Sequence, residues 1–262
     1  MFEPRVALAS LSGEADATWA DHGADYAGLA VLGGIALDGR TRAAARRMVA
    51  DRDRTEFLPP DPVAFIYYQL SALSDVPIRP GVNVRTTTLD PLEAAATVCR
   101  DHDAILEINA HCRQDEMCAT GAGQSLLRDP DRLREQVGTA AAAGATVGVK
   151  LRTEVPGVDL PAVAAAAADA GADLLHVDAM DSESVVADVV AATDAFVIAN
   201  NGARDAATVR EYVEYGADAV SVGRPSDNPT VLARVRDAAV TCFGEAAGAS
   251  DPAVARRQEG DS

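Results

Sequence analysis

A closed eight-stranded parallel barrel of the TIM (β/α)8 type, α/β in class and a single domain, is the fold that this sequence predicts. Three observations predict it. Apolar, β-branched runs alternate with Ala-rich helical stretches along the chain; eight such runs occur; and 262 residues with 48% apolar content suffice to close one barrel around a full core.

The expected strands, in order, are Arg5–Ser10, Tyr26–Leu37, Gly81–Thr88, Ala104–Ala110, Thr146–Thr153, Leu174–Ala179, Ala195–Asn201 and Ala219–Gly223. Seven of them are rich in Val, Ile, Leu or Ala, as a strand buried on both faces requires, and Gly81–Thr88 carries its apolar residues at Val82 and Val84. Helix starts between them carry recognisable caps at Asp90-Pro91, Asp129-Pro130, Asp159, Asp181-Ser-Glu and Asp205. The stretch Asp51–Leu73 is longer than one crossover needs, and its Pro-Pro-Asp-Pro break predicts two helical pieces. Residues 1–248 form the expected barrel domain and 249–262 a disordered polar tail.

Composition narrows the setting. Forty acidic residues against 23 basic ones give a net charge of -17, and the basic residues are arginine with a single exception, Lys150. Lys-poor, Ala-rich, low-aromatic usage points to a halophilic chain. Concentrated salt shrinks the screening length to about 3 Å, so global charge does not exclude a nucleic-acid partner and local patches decide. Neither a signal-peptide pattern nor a long uncharged apolar window occurs, which predicts a soluble, cytoplasmic protein without a membrane partner. Cys99, Cys112, Cys118 and Cys242 lack zinc-site spacing and are read as free thiols, with no metal site.

Barrel enzymes place their chemistry at the carboxyl ends of the strands. Those positions here hold Arg85, Asn109-Ala-His-Cys112, Lys150-Leu-Arg152, His176-Val-Asp178, Asn200-Asn-Gly202 and Gly223-Arg224. Cys112 sits on a Gly-containing loop where a thiol can exchange a proton and where His111 and Arg113 can tune it, or else it is a half-buried structural residue. Lys150 supports three readings: a flavin-contacting cation, a Schiff-base lysine, or a salt-bridged strand end. Backbone amides at Asn201-Gly202 and Gly223-Arg224, after strands seven and eight, stand where barrels hold a phosphate group. His176 and Asp178 share one face of the sixth strand, which suits a core or supporting role.

Ile108-Asn109-Ala-His-Cys112 is followed by Gly121-Ala-Gly-Gln-Ser-Leu-Leu127 and Asp129-Pro130, then by Val147-Gly-Val-Lys-Leu-Arg152, Asn201-Gly202, and Gly216-Ala-Asp218 with Val222-Gly-Arg224. In this order the segment from Glu107 to Pro229 resembles the tRNA-dihydrouridine synthases, FMN-dependent barrels related to dihydroorotate dehydrogenase. The family's patterns are Asn-x-Gly-Cys-Pro, Gly-Ser/Ala-x-Leu-Leu, Val-x-x-Lys-x-Arg, Asn-Gly-Asp, and Gly-Ala-Asp with Ile-Gly-Arg. The resemblance implies that Cys112 is the general acid for uracil C5, that Asn109 and Arg152 bind the substrate base, and that Lys150 contacts the electron-rich edge of the flavin. It further implies that Arg85, His176, Asn201, Gly202, Gly223 and Arg224 complete the FMN site, with NADPH or NADH as reductant and tRNA as the macromolecular partner. Arg113, Arg128, Arg132, Arg134 and Arg152 would then offer a local cationic patch.

Departures from that pattern are specific. His111 and Arg113 replace the Gly and Pro around the cysteine, Asp178 stands where the family has a flavin-site histidine, Ala203 replaces the Asp after Asn-Gly, and Arg85 falls near an expected glutamine. Ala7-Leu-Ala-Ser-Leu-Ser12 stands in place of the first-strand signature, and the family's C-terminal helical RNA-binding domain is not seen in this sequence, which resembles the shorter archaeal members. Alternative readings are a dihydroorotate-dehydrogenase-like enzyme on a free pyrimidine, a Lys150 Schiff-base lyase or aldolase, and a non-catalytic flavin- or phosphate-binding barrel.

Overall fold

The computed structural model describes residues 1–52 and 54–249 of the chain. Eight parallel strands close a barrel in sequence order, with β8 returning to pair with β1 through Val6–Val220 and Leu8–Val222. They are β1 (Val6–Leu8), β2 (Leu29–Ala36), β3 (Arg79–Arg85), β4 (Ile105–Asn109), β5 (Thr146–Arg152), β6 (Leu174–Asp178), β7 (Phe196–Asn200) and β8 (Ala219–Val222). Seven lie within the runs expected for them; β3 starts two residues earlier than expected and ends at Arg85, so Thr86–Thr88 belong to the loop after it.

The surrounding helices are α1 (Ala17–Gly23), α2 (Gly39–Asp51), α3 (Pro62–Ser71), α4 (Asp90–Asp101), α5 (Asp115–Cys118), α6 (Pro130–Ala142), α7 (Leu160–Asp169), α8 (Val185–Ala191), α9 (Ala206–Glu214) and α10 (Pro229–Ala249). The helix α10 runs one residue beyond the expected domain end, and the rest of the expected tail lies outside the described residues. The expectation of two helical pieces within Asp51–Leu73 is corrected: α2 already ends at Asp51, and among the described residues of that stretch one helix forms, α3, which starts at Pro62 behind the Asp61 cap because Pro59 and Pro60 disfavour helix before it.

Capping follows local chemistry. Asp129, Asp159 and Asp205 accept from the backbone N–H of Arg132, Ala162 and Thr208, as expected. Two expected caps are corrected. Asp90 falls inside the first turn of α4, where its charge faces the positive end of the helix, and Leu89 takes the cap position. Asp181 lies in a turn before α8, which starts only at Val185 behind Ser184.

Period-two alternation divides the strands between two cores. Outward residues such as Val82, Leu106, Val149, Val177 and Val220 pack with the helices in the main cluster. Inward residues form storeys. The floor is apolar: Ala7, Leu29, Val31, Ile105, Leu174, Ile198 and Ala219 pack together, with Phe2 in the same cluster.

Above the floor the interior turns polar. Asn83 Nδ2 donates to Glu107 Oε1 at 2.6 Å, Glu107 Oε2 meets His176 Nδ1 at 2.7 Å, and His176 Nε2 meets Ser221 Oγ at 2.8 Å. Ser221 Oγ in turn donates to Asn200 Oδ1 at 2.9 Å. Gly34 admits this layer, because a Cβ there would sit 2.5 Å from Asn83 Oδ1. Burial opposes the charge on Glu107, yet His176, Lys150 and Asn83 outweigh it and hold the carboxyl below its usual range. Burial pushes His176 down, with Lys150 adding to the effect and Glu107 opposing it.

Two outcomes are expected. Replacing Glu107 with Ala leaves the Lys150 ammonium buried without its counter-charge and lowers unfolding stability by about 3–5 kcal/mol, measured by urea denaturation. Stability is also full above about pH 6.5 and falls below it, because the unfolded chain then takes up a proton that the buried His176 ring refuses. The depressed Glu107 subtracts a further share as pH drops through and below about 4. Urea midpoints measured across this range check both steps.

Candidate active site

The mouth of the barrel sits on the polar storey. Lys150 and Arg152 alternate on β5, so they share its inner face, and their register partners on β6 are His176 and Asp178. Asn109 pairs with Lys150 across β4–β5. All five side chains belong to buried residues.

The β4 loop is locked by the Asn109 amide. Its Nδ2 donates to Asn83 Oδ1 at 2.8 Å, while its Oδ1 accepts from the backbone N–H of Cys112 at 2.8 Å and of His111 at 3.2 Å. The Cys112 carbonyl then accepts from the Gln124 backbone N–H at 2.9 Å and from Cys118 Sγ at 3.4 Å. Gln124 makes that bond from within the 3-10 turn Gly123–Arg128. Gly123 is required beneath it: its φ is +64°, and a Cβ there would lie 2.3 Å from the Cys112 carbonyl oxygen. Cys112 is 8% exposed and packs with Ala44, Met48, Met117 and Ala122. All four cysteines are free; Cys99, buried on α4, is pushed up to about 12 by burial and has no part in the site.

Two residues that read as departures in the sequence meet in space. His111 Nε2 is hydrogen-bonded to Asp178 Oδ2, across 67 positions of chain. Burial opposes the charge on Asp178, but the bond from His111 and the nearby Lys150 hold its carboxyl below the usual range. Burial lowers His111, and Lys150 lowers it further against the pull of Asp178.

Arg85 is placed differently from a simple ligand-facing cation. It is 2% exposed, its guanidinium pairs with Glu56 Oε2 at 2.9 Å, and it also donates to Ser12 Oγ. Glu56 reaches Arg54 as well, at 2.8 Å, so a strap from the α2–α3 connection is tied over the β1 and β3 ends. His176 lies below the mouth with both ring nitrogens engaged by Glu107 and Ser221. Asn201 and Gly202 follow β7 with φ of +91° and +73°, and the Asn201 carbonyl accepts from the Tyr212 hydroxyl at 2.5 Å. Arg224 begins a short 3-10 turn after Gly223 and is exposed.

Glu107, Asn83, Ser221 and Glu56 are the site-shaping residues that the strand-end reading passes over. A signal for Glu107 exists, since it is the one charged residue in the otherwise apolar run Ala104–Ile108.

The donors fit a flavin mononucleotide. Lys150 is 4% exposed and makes no hydrogen bond among the described residues, and Arg85 Nε is buried without a partner. A Cβ on Gly202 or Gly223 would meet nothing within 4 Å, which leaves room for a phosphate to approach the backbone. A cavity of about 490 Å³ opens beside the mouth between the loops after β5 and β6, lined by Arg152, Thr153, Glu154 and Ser182 among others. Of the arginines expected to form a cationic patch, Arg128 and Arg132 are tied to loop carbonyls and Arg134 lies 3.8 Å from Asp131; Arg113 is exposed. Among the described residues no His/Cys/Asp/Glu group could hold a metal ion, and no helix is long and apolar enough to cross a membrane.

The chain is 27% identical over 234 residues to an uncharacterized protein of Methanocaldococcus jannaschii, covering 85% of this chain and 89% of that protein. Its fold is similar to that of DHODH from Eimeria tenella in complex with ferulenol, with a TM-score of 0.68 and 16% identity over 93% of this chain and 82% of that one. It is also similar to a morphinone reductase mutant in complex with tetrahydroNAD, with a TM-score of 0.63 and 14% identity over 90% and 87% of the two chains. The model of the dihydrouridine synthase (Dus) family matches residues 84–258, from the end of β3 onward, and the chain belongs to that family.

Proposed function

We propose that the protein is an FMN-dependent oxidoreductase that reduces the C5–C6 double bond of a uracil ring, with tRNA as the substrate class and NADPH or NADH as the reductant. The observation that carries this reading is Lys150. In a dihydrouridine synthase family barrel, a buried ammonium without a hydrogen-bond partner among the described residues is a donor waiting for an electron-rich ligand edge. Glu107 stabilises that charge in the interior.

Bound FMN would supply the hydride. The protein's own residues supply position and the proton. Lys150 holds the electron-rich edge of the ring system, while the backbone at Gly202 and Gly223 and the Arg224 side chain take the phosphate. Cys112 holds a proton on Sγ for the ring carbon beside the one that accepts hydride. Asn109 fixes the Cys112 loop through its Oδ1 and stands next to Lys150 at the mouth, where it can meet the base. His176 acts through Glu107 from the storey below.

The first test is to purify the protein in molar KCl, record its visible absorption, and add NADPH without oxygen. Flavin bands that bleach support the reading; a colourless protein that takes up no FMN overturns it. Cys112→Ala is expected to keep the flavin and lose about a hundredfold or more of uracil reduction, measured as dihydrouridine formed per enzyme. Lys150→Ala is expected to weaken FMN binding or slow flavin reduction by NADPH, read by fluorescence titration and stopped-flow absorbance, and unchanged values would remove Lys150 from the site.

A further inference from the structure

We propose that His111 is the residue through which the site recognises a cyclic imide, the CO–NH–CO edge shared by a uracil ring and the ring system of a flavin. The inference rests on the function proposed above and deepens it, by naming the group that reads the ring.

Asp178 is ionised and can only accept, so the hydrogen bond it shares with His111 must be donated by Nε2–H. A neutral imidazole has one N–H, and Nδ1 is therefore left as a lone-pair acceptor. No described residue donates to Nδ1, and the His111 side chain is 29% exposed at the mouth. The fold has thus oriented a ring, fixed its tautomer, and left its acceptor open to a ligand.

The neighbours complete a pattern. Lys150 and Arg152 are the cations that act on His111, and both are donors without any acceptor capacity. Lys150 has no hydrogen-bond partner among the described residues. Arg152, 6% exposed, has only a 3.5 Å contact from Nε to the Thr153 carbonyl and no carboxylate partner among the described residues. An open acceptor accompanied by two sets of open donors is the complement of an imide, which offers one N–H between two carbonyls. Cytosine lacks that N–H and carries an amine in place of one carbonyl, so it would set donor against donor and leave Nδ1 unpaired.

Acid should invert the pattern. The groups facing His111 are Asp178 on β6 and Lys150 and Arg152 on β5, with Asn109 and Cys112 on its own segment. Protonation of the ring turns Nδ1 into a donor, and the imide N–H then meets another N–H.

The test is isothermal titration of the protein as purified with uridine 5'-monophosphate, its N3-methyl derivative and cytidine 5'-monophosphate, and in a second arm with FMN and N3-methyl-FMN. The expected result is a preference of about tenfold or more for the unmethylated imide in one arm, which His111→Phe abolishes. The arm in which the preference collapses identifies the imide as the substrate's or the flavin's. Preferences that persist unchanged in His111→Phe in both arms overturn the proposal. If that variant does not fold, the wild-type preference is followed as pH falls: a decline supports the proposal, and a constant ratio overturns it. A protein that ignores FMN yet selects the uridine imide would sink the flavoenzyme reading alone, whereas bleaching flavin with preferences unmoved by His111→Phe would sink this one alone.

Discussion

A carboxylate one storey below the mouth, Glu107, is the constraint on which the mouth depends. A lone ammonium in a barrel interior would lose its proton or leave the interior, because desolvation disfavours its charge. Glu107 is itself fully buried and survives as an anion only through His176, Lys150 and Asn83. The interior charges therefore stand or fall together, and the apolar floor beneath them supplies the rigid base that keeps their spacing.

From that base the strand register does the positioning. Asn83 sits opposite Glu107, Asn109 opposite Lys150, Lys150 opposite His176 and Arg152 opposite Asp178. Because inward residues recur every second position, the polar storey and the mouth are successive rings of one pattern. The Cys112 loop inherits its place from this lattice through one amide, since Asn109 is bonded below to Asn83 and above to the loop backbone.

The barrel is legible in the sequence because each of eight units repeats the same apolar run and helix, so errors of a residue or two at strand ends do not change the count. Strand ends are legible for the same reason, so position lists Lys150, Asn109, Cys112 and Arg152 among the residues at the mouth, together with Arg85, His176 and Asp178. What the sequence hides is partnership. His111 and Asp178 each read as a loss, since nothing in the chain tells that residues 67 apart share a hydrogen bond. Arg85 reads as free because Glu56, which neutralises it, comes from the irregular stretch between α2 and α3 that carries no periodic signal. The Asp90 and Asp181 caps fail because a cap is decided by where the turn begins, which Pro91 and the turn before Ser184 shift by one to three residues.

A chain with one lysine has one interior amine. Any amine-directed reagent meets only the chain's α-amino group and Lys150, and Lys150 is shielded by the mouth above it. Modification at that single nitrogen is therefore a built-in gauge of occupancy and opening of the barrel, readable by mass without introducing a label, in a protein whose surface offers the reagent no competing lysine.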